Sequence, residues 1–517
     1  MSNRELSSNK KLFLNLSASF LAFAVTFGIN FFLSPYIVRT VGVEAYGFVN
    51  LANNFISYAS LISVALNALA GRFISVSIFE KDYEKANKYY SSVFLANCVL
   101  SLVMLVGALF VWIYLEHLIK IPNDIFWDVK ILFAAMFLNC IVNTVGSVFS
   151  VSTFVANKLY LTSIRNIEAS GARAVILVLA YAFCAPKILY LGITTLLTSL
   201  YCIIFNYYYI HKLTPYLHIK KAYFDMKAVI ELIASGVWNL VTRLGQIFTD
   251  GLDLLITNIF ISATAMGVLS VAKTIPNAIN SIIMALVGSF SPNFTELYAE
   301  KKFDELITSI KQSMKIMGIL TTLPIVVLIV CGEKFFALWQ PTQDAKQLQI
   351  LSIITIACAI FSGGINCLYN LFTVLNKIKM NSIVVVCSGV LSTIIVFILL
   401  KTTSLGIYAV AGVSTVISLV RNFAFTAPYG AKCLNLKWYA FYPDMLRPAL
   451  FVGVSSLIGI FISRYFTSTS WLSLIILGVI VLSISIALGY FIVLNKSDRQ
   501  AVIGILKSKI FNKIKRS

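Results

Sequence analysis

Charge is what this sequence has least of. Of its 517 residues only 12% are Asp, Glu, Lys or Arg, and acids are the scarcer sign, 21 against 41 Lys+Arg. An ordinary soluble protein carries about 25% charged residues, so the chain lacks the polar surface that a soluble fold of this size requires. Histidine occurs three times, at His117, His211 and His218, which leaves little material for metal ligation or imidazole catalysis. The nine cysteines are scattered through apolar stretches with no C-x-x-C pair, and so point to neither a disulfide frame nor a zinc site. A cleavable leader is not expected. The first apolar stretch, near 12–38, is too long for a signal h-region and has no small-residue cleavage site.

What is present is apolar length. Hydrophobic residues make up 59% of the chain, and runs of 18 or more recur throughout, each enough to cross a hydrocarbon core of about 30 Å. The fold class is therefore an all-α polytopic membrane protein. Fourteen spans are read near 12–38, 46–71, 89–115, 130–157, 164–185, 188–210, 230–258, 265–292, 312–336, 347–375, 381–400, 405–428, 445–463 and 471–494. The longest connections fall near 72–88, 116–129, 211–229, 293–311 and 429–444, and none has room for a soluble domain.

The net charge of +20 is explained by where its cations lie. Segments on the N-terminal side hold 29 Lys and Arg, and those on the opposite side hold 8. Basic residues accumulate on cytoplasmic loops, so this bias places both termini in the cytoplasm and requires no nucleic acid. The tail, 495–517, alternates apolar residues with Lys507, Lys509, Lys513 and Lys515. It reads as a basic amphipathic helix on the anionic leaflet.

The chain also repeats itself. Ala45-Tyr46-Gly47 matches Ala265-Met266-Gly267, and Glu80–Glu84 matches Glu300–Asp304, both at a shift of 220. Asn157-Lys158 matches Asn376-Lys377 at 219, and Leu191-Gly192-Ile193 matches Leu405-Gly406-Ile407 at 214. The repeat covers six spans, an even number, so both copies enter the membrane in the same direction. The expected organisation is an N-lobe over 1–210, a cytoplasmic linker over 211–229, a C-lobe over 230–428 and an appended pair of spans over 429–494. Two parallel six-helix lobes around a shared cavity suit alternating access.

Polar residues at membrane depth mark the candidate site, because ionised groups there need a wet interior or a partner. Four cations lie outside any loop, Arg173, Arg243, Lys273 and Arg421, with three acids, Glu168, Asp250 and Asp253. Asn239, Arg243, Gln246, Asp250, Asp253 and Thr257 fall on one stripe at helical spacing. Asn15, Ser19, Thr26 and Asn30 form a milder one in the first span, and Lys273, Asn277 and Asn280 continue the pattern near Pro276. A further stripe runs through Asn139, Asn143, Gly146, Ser150, Thr153 and Asn157. Such stripes serve either helix packing or a hydrated cavity. For the cations the choice is between structural salt bridges and an anion site, and the arginine fork suits phosphate.

The segment Arg39-Thr-Val-Gly-Val-Glu-Ala-Tyr-Gly47, with Val41 in the usual leucine position, resembles the L-G-x-x-x-Y-G signature of the polysaccharide-unit (Wzx-type) flippases. Those flippases belong to the MATE/MOP superfamily, which also holds lipid II flippases and multidrug exporters. The resemblance implies outward translocation of an undecaprenyl-diphosphate-linked oligosaccharide by alternating access, upstream of a polysaccharide polymerase. Arg173, Arg243, Lys273 and Arg421 are then the residues to hold diphosphate. Asn30, Asn239, Gln246 and Asn277 are those to hydrogen-bond sugar, and Asp250, Asp253 or Glu168 those to couple H⁺ or Na⁺; no other cofactor is expected. A lipid II flippase shares these features. A MATE-type exporter of cations calls for acids in the first lobe, and the first span has none. A membrane enzyme calls for catalytic groups on sizeable external loops, which here are short and hold a lone His117.

Overall fold

In a hydrocarbon core every backbone N–H and C=O must find its partner within the protein, so each long apolar run closes on itself as a helix. The computed structural model describes residues 8–466, 470–495 and 499, and among them all regular structure is helical. Arg499 apart, the expected tail helix lies outside the described residues. Fourteen helices are long and apolar enough to span, one for each run read from the sequence. The first seven are α1 (Ser17–Val41), α2 (Val43–Phe79), α3 (Tyr83–Ile113), α4 (Asn123–Val155), α5 (Leu159–Phe183), α6 (Leu189–Leu213) and α7 (Met226–Gly251). Then come α8 (Ala263–Ala299), α9 (Phe303–Trp339), α10 (Ala345–Val374), α11 (Ile378–Thr402), α12 (Ile407–Cys433), α13 (Tyr442–Ser463) and α14 (Trp471–Ile492).

Several connections read as polar loops are in fact helix. The stretches 72–88 and 293–311 are largely taken up by the ends of α2 and α8 and the starts of α3 and α9. A 37-residue helix such as α2, α8 or α9 is about 55 Å long, well beyond the hydrocarbon core, so its polar end continues past the membrane as helix. For the same reason Lys130, Arg165 and Lys315, read with the loops, lie inside α4, α5 and α9. Setting those three aside leaves the charge asymmetry in place.

The repeat is written in the backbone. Both α2 and α8 have 37 residues, starting at Val43 and Ala263 and ending at Phe79 and Ala299, each pair 220 apart. Each is broken in its lower third, at Ala68–Leu69 and at Ser289–Phe290. After each, a non-glycine residue adopts left-handed backbone, Lys81 (φ 61°) and Lys301 (φ 58°). The following amides then bond back five residues, Asp82 N to Ser77 O and Lys302 N to Leu297 O, both at 3.0 Å. These are Schellman caps, which close the orphan carbonyls of a helix end. The same device ends α4 and α10, at Asn157 (φ 51°) and Asn376 (φ 54°).

The chain divides into two compact units, Met1–Ser270 and Val271–Ser517. In the first, α1 packs on α5, α4 on α6, and α7 on α2. An apolar core where the end of α2 meets the starts of α3 and α7 gathers Leu66, Ile74, Tyr90, Val93, Phe149 and Leu232. The linker after α6 is pinned to the start of α3. Asn87 Nδ2 donates to Tyr216 O (3.0 Å), His218 N donates to Asn87 Oδ1 (2.6 Å), and Asp225 N donates to Ser92 Oγ (2.9 Å). In the second unit α9 is the hub, against α10, α13 and α14. The appended pair is fastened to it by a core of Val326, Val330, Phe451, Val452, Leu477 and Val481.

The glycines of the V-G-V-E-A-Y-G segment each have a physical reason. Gly42 turns the chain from α1 into α2 at φ 100°, a conformation that side chains avoid. Gly47 lies on the Gly267 backbone, and a Cβ added there would stand 2.8 Å from Gly267 Cα. Around this contact, still within the first unit, residue i repeatedly meets residue i+220. Asn50 Nδ2 donates to Ser270 Oγ at 2.5 Å, and Thr264 Oγ1 donates to Glu44 Oε1. A contact between a position and its own repeat equivalent is the signature of a local two-fold axis.

Candidate functional site

The polar stripe on α7 begins where Asp225 caps the helix, its carboxylate accepting from Lys227 N at 2.8 Å. Val229, Leu232 and Gly236 are buried on one side, and Gly236 lets the helix lie against the Ala65 backbone of α2. The opposite side carries Arg243, Gln246 and Asp250, all exposed, with Asn239 half-buried. Arg243 Nη1 donates to Gln246 Oε1 at 3.3 Å, so the guanidinium is held along the stripe. Arg243 stands seventeen residues into the helix, about 26 Å along it. Exposed Arg, Gln and Asp at such depth are costly against acyl chains.

The stripe does not run on unbroken to Thr257. Ile247–Gly251 is a π-helical turn, closed by Leu252 N donating to Ile247 O at 3.1 Å. The extra residue rotates the rest of the helix: Asp250 remains exposed, whereas Asp253 is turned inward to 5% exposure. Helix α2 binds the carbonyl freed at the break, with Tyr58 Oη (2.5 Å) and Asn54 Nδ2 (3.0 Å) both donating to Gly251 O. Sequence reading missed both donors. The signal available was a Gly next to two acids inside an apolar run, since π-turns interrupt helices at functional sites.

The other candidates in the first unit divide between packing and exposure. Most of the α1 stripe is spent on α4 and α5. Asn15 Nδ2 donates to Asn157 Oδ1 (2.8 Å), Ser19 meets Ser163 (3.2 Å) and Thr26 meets Ser170 (2.9 Å), while Asn30 remains exposed. Part of the α4 stripe likewise bonds within its own helix, Asn143 Nδ2 to Asn139 Oδ1 at 2.9 Å. Glu168 is tied to Arg165 Nη1 and Tyr201 Oη, both at 2.5 Å, and Arg165 also stacks over Phe205 with 4.4 Å to the ring centre. The i,i+3 spacing of Arg165 and Glu168 was the readable sign of that pair. Arg173 is half-buried on α5. Sequence reading also missed the reciprocal amide pair Asn67–Asn97 (2.9 and 3.0 Å), which ties α2 to α3.

In the second unit Lys273 is half-buried on α8, and Asn277 and Asn280 are exposed one and two turns further on. Arg421, half-buried near the middle of α12, donates from Nη1 to Ser388 Oγ at 3.3 Å. A second π-turn, Asn422–Thr426, follows it directly. Among the described residues no group of His, Cys, Asp and Glu could hold a metal ion, and all nine cysteines are free thiols.

Comparison with known proteins adds three findings. Residues 12–298 match the family described as polysaccharide biosynthesis protein. An uncharacterized membrane protein of Bacillus subtilis (strain 168), EpsK, is 26% identical over 493 residues, covering 95% of this chain and 97% of its own. Among solved structures, an inward-facing multidrug-resistance MATE transporter of the MOP superfamily superposes with a TM-score of 0.66 at 14% identity. That match covers 82% of this chain and 98% of the transporter. The lipid II flippase MurJ, in an inward closed conformation, gives 0.64 at 15% identity, covering 92% of this chain and 99% of its own. At such identities these structures speak for the fold alone, which this chain shares with them.

Proposed function

We propose, because the chain belongs to the polysaccharide biosynthesis protein family, that it is a flippase moving an undecaprenyl-diphosphate-linked oligosaccharide from the inner to the outer leaflet. The observation that carries this reading is the polar face of α7, with Arg243, Gln246 and Asp250 exposed at membrane depth. A lipid-linked sugar needs a cation for its diphosphate, amides and hydroxyls for its sugars, and nothing polar for its tail. Arg243 supplies the two-toothed fork that matches phosphate oxygens, and Asn239, Gln246 and Asn30 supply amides. On the second unit Lys273 and Arg421 supply charge, with Asn277 beside Lys273. The headgroup travels along these polar faces while the polyprenyl tail stays in lipid.

Opening the faces first to one side and then to the other moves the head without any catalytic step. The driving force is partly electrical: an anionic head leaving a negative cytoplasm gains about 2.3 kcal/mol per charge per 100 mV. Asp250, exposed one turn from Gln246, is the group to take up H⁺ or Na⁺ when the empty carrier resets. In this reading the protein is a multi-pass resident of the bacterial plasma membrane with both termini in the cytoplasm. It hands its cargo to polymerising enzymes outside.

The test is replacement of Arg243 or Lys273 by Ala or Glu in cells that depend on this protein for surface polysaccharide. Surface polymer is expected to fall about tenfold or more, with Glu worse than Ala because repulsion adds to the lost contact. Normal polymer at normal protein level overturns the reading. If wild-type protein in vesicles moves lipid II and no polysaccharide unit, the cargo is the peptidoglycan precursor instead.

A further inference from the structure

The first unit holds a second cation that neither the α7 face nor any ion pair accounts for. Arg173 lies fourteen residues into α5. Its Nε is buried and has no hydrogen-bond partner among the described residues, and no salt bridge or hydrogen bond there engages its guanidinium. The nearest acid in sequence, Glu168, is already held by Arg165 and Tyr201. Two turns further along α5 the hydroxyl of Tyr181 is likewise buried and unbonded. The Tyr181 ring lies 5.8 Å from Tyr36 of α1 and 6.0 Å from Tyr190 of α6. The Tyr181 hydroxyl also couples electrostatically to the Arg173 guanidinium. Tyr36 is 37% exposed, which gives the cluster an open side.

A guanidinium nitrogen and a phenol without partners at membrane depth are both expensive, and among the described residues neither Arg173 Nε nor Tyr181 Oη has one. They share one unmet need, an anion that also accepts hydrogen bonds from hydroxyls. A planar fork matches the oxygens of phosphate as well as carboxylate, and tyrosine rings present flat faces to the apolar side of a sugar ring. We infer that Arg173, Tyr181 and Tyr36 form a second phosphate station for a glycosyl phosphate ester. It lies in the half of the unit nearer the α1–α2 and α5–α6 turns, which the proposed topology makes the outer half. The identity of the cargo rests on the flippase reading; the station itself rests on the orphaned atoms. Its role is to hold the phosphate after it leaves Arg243 and before the lipid is released.

The experiment uses the full-length protein in phosphatidylcholine nanodiscs, titrated with polyprenyl-diphosphate-linked N-acetylhexosamine and read by native mass spectrometry. R173Q is expected to weaken binding about tenfold and R173K about threefold, because an ammonium keeps the charge without the fork. Y181F, which retains the ring, should lose about threefold. Melting temperatures and gel filtration confirm that each variant is folded. Wild-type affinity in R173Q and Y181F, with the wild type binding well, overturns the station and leaves the flippase reading standing. Failure of the wild type to bind this lipid overturns the cargo of the flippase reading. A parallel titration with phosphatidylglycerol separates the two sources of phosphate ester. Arg173-dependent binding of phosphatidylglycerol alone overturns the glycosyl assignment, since the site then holds a bulk lipid headgroup.

Discussion

At Gly267 an added methyl would run into the Val43 carbonyl of the neighbouring helix, and no flexible side chain stands there to give way. Overpacking of this kind costs about 1–3 kcal/mol. Gly267→Ala should therefore lower the melting temperature by several degrees in detergent. Gly107→Ala is the control, because nothing lies within 4 Å of its added Cβ; it should leave the temperature unchanged or raise it slightly, as Ala is the better helix former. Equal behaviour of the two variants would show that the Gly47–Gly267 contact is dispensable. The same scale of detail decides the fate of the acids. Asp250 and Asp253 are three residues apart, and one is exposed and the other buried. No reading at constant helical pitch could separate them, because the π-turn that does so depends on Asn54 and Tyr58 of another helix.

Helices were the most legible level. Fourteen apolar runs became fourteen helices because the hydrocarbon core leaves a long apolar segment no other choice. What hydropathy could not see was how far helices continue beyond the membrane, since a polar sequence such as that after Phe303 is compatible with either loop or helix. The shift of 220 first seen in short matches is borne out by the shared helix bounds and caps. At those caps, Lys81 and Lys301 sit in left-handed backbone, which costs an L-residue about 1–2 kcal/mol, while glycine adopts it freely at a smaller entropic loss. Lys81→Gly and Lys301→Gly should each raise thermal stability, by up to about 1 kcal/mol, in a melting assay. A loss of stability in either would mean that its lysine side chain makes a contact worth more than the strain. The stripes were half legible. Their spacing was visible, but Ser19 and Thr26 bonding across to α5 and Asn30 remaining exposed depend on which neighbour α1 meets.

At the scale of the molecule, the proposed orientation rests on loop charge, a bias that the helix bounds leave in place. Alkaline phosphatase fused after Lys187, between α5 and α6, should be active, and fused after Lys220, in the linker, inactive. A green fluorescent reporter at the C-terminus should fluoresce. The reverse pattern would invert the proposed topology and with it the direction of transport. The likeness to MATE and MurJ structures concerns the path of the backbone, at 14% and 15% identity, and leaves the cargo to the polar faces. Those faces were found in the sequence as charges out of place; their exposure required the fold.

The contacts between residue i and residue i+220 carry a message about history. In a homodimer of two identical halves, a position on the axis would face its own copy: glutamate against glutamate at 44, or glycine against glycine at 47. Two like charges on an axis repel, whereas two glycines pack well. This chain has a glycine pair at the one position and Glu44 with Thr264 at the other, an acceptor and a donor. Only once both halves are encoded in one gene can the two sides of an axis diverge. Position 44/264 is thus where the two halves differ, and position 47/267 where they stay alike.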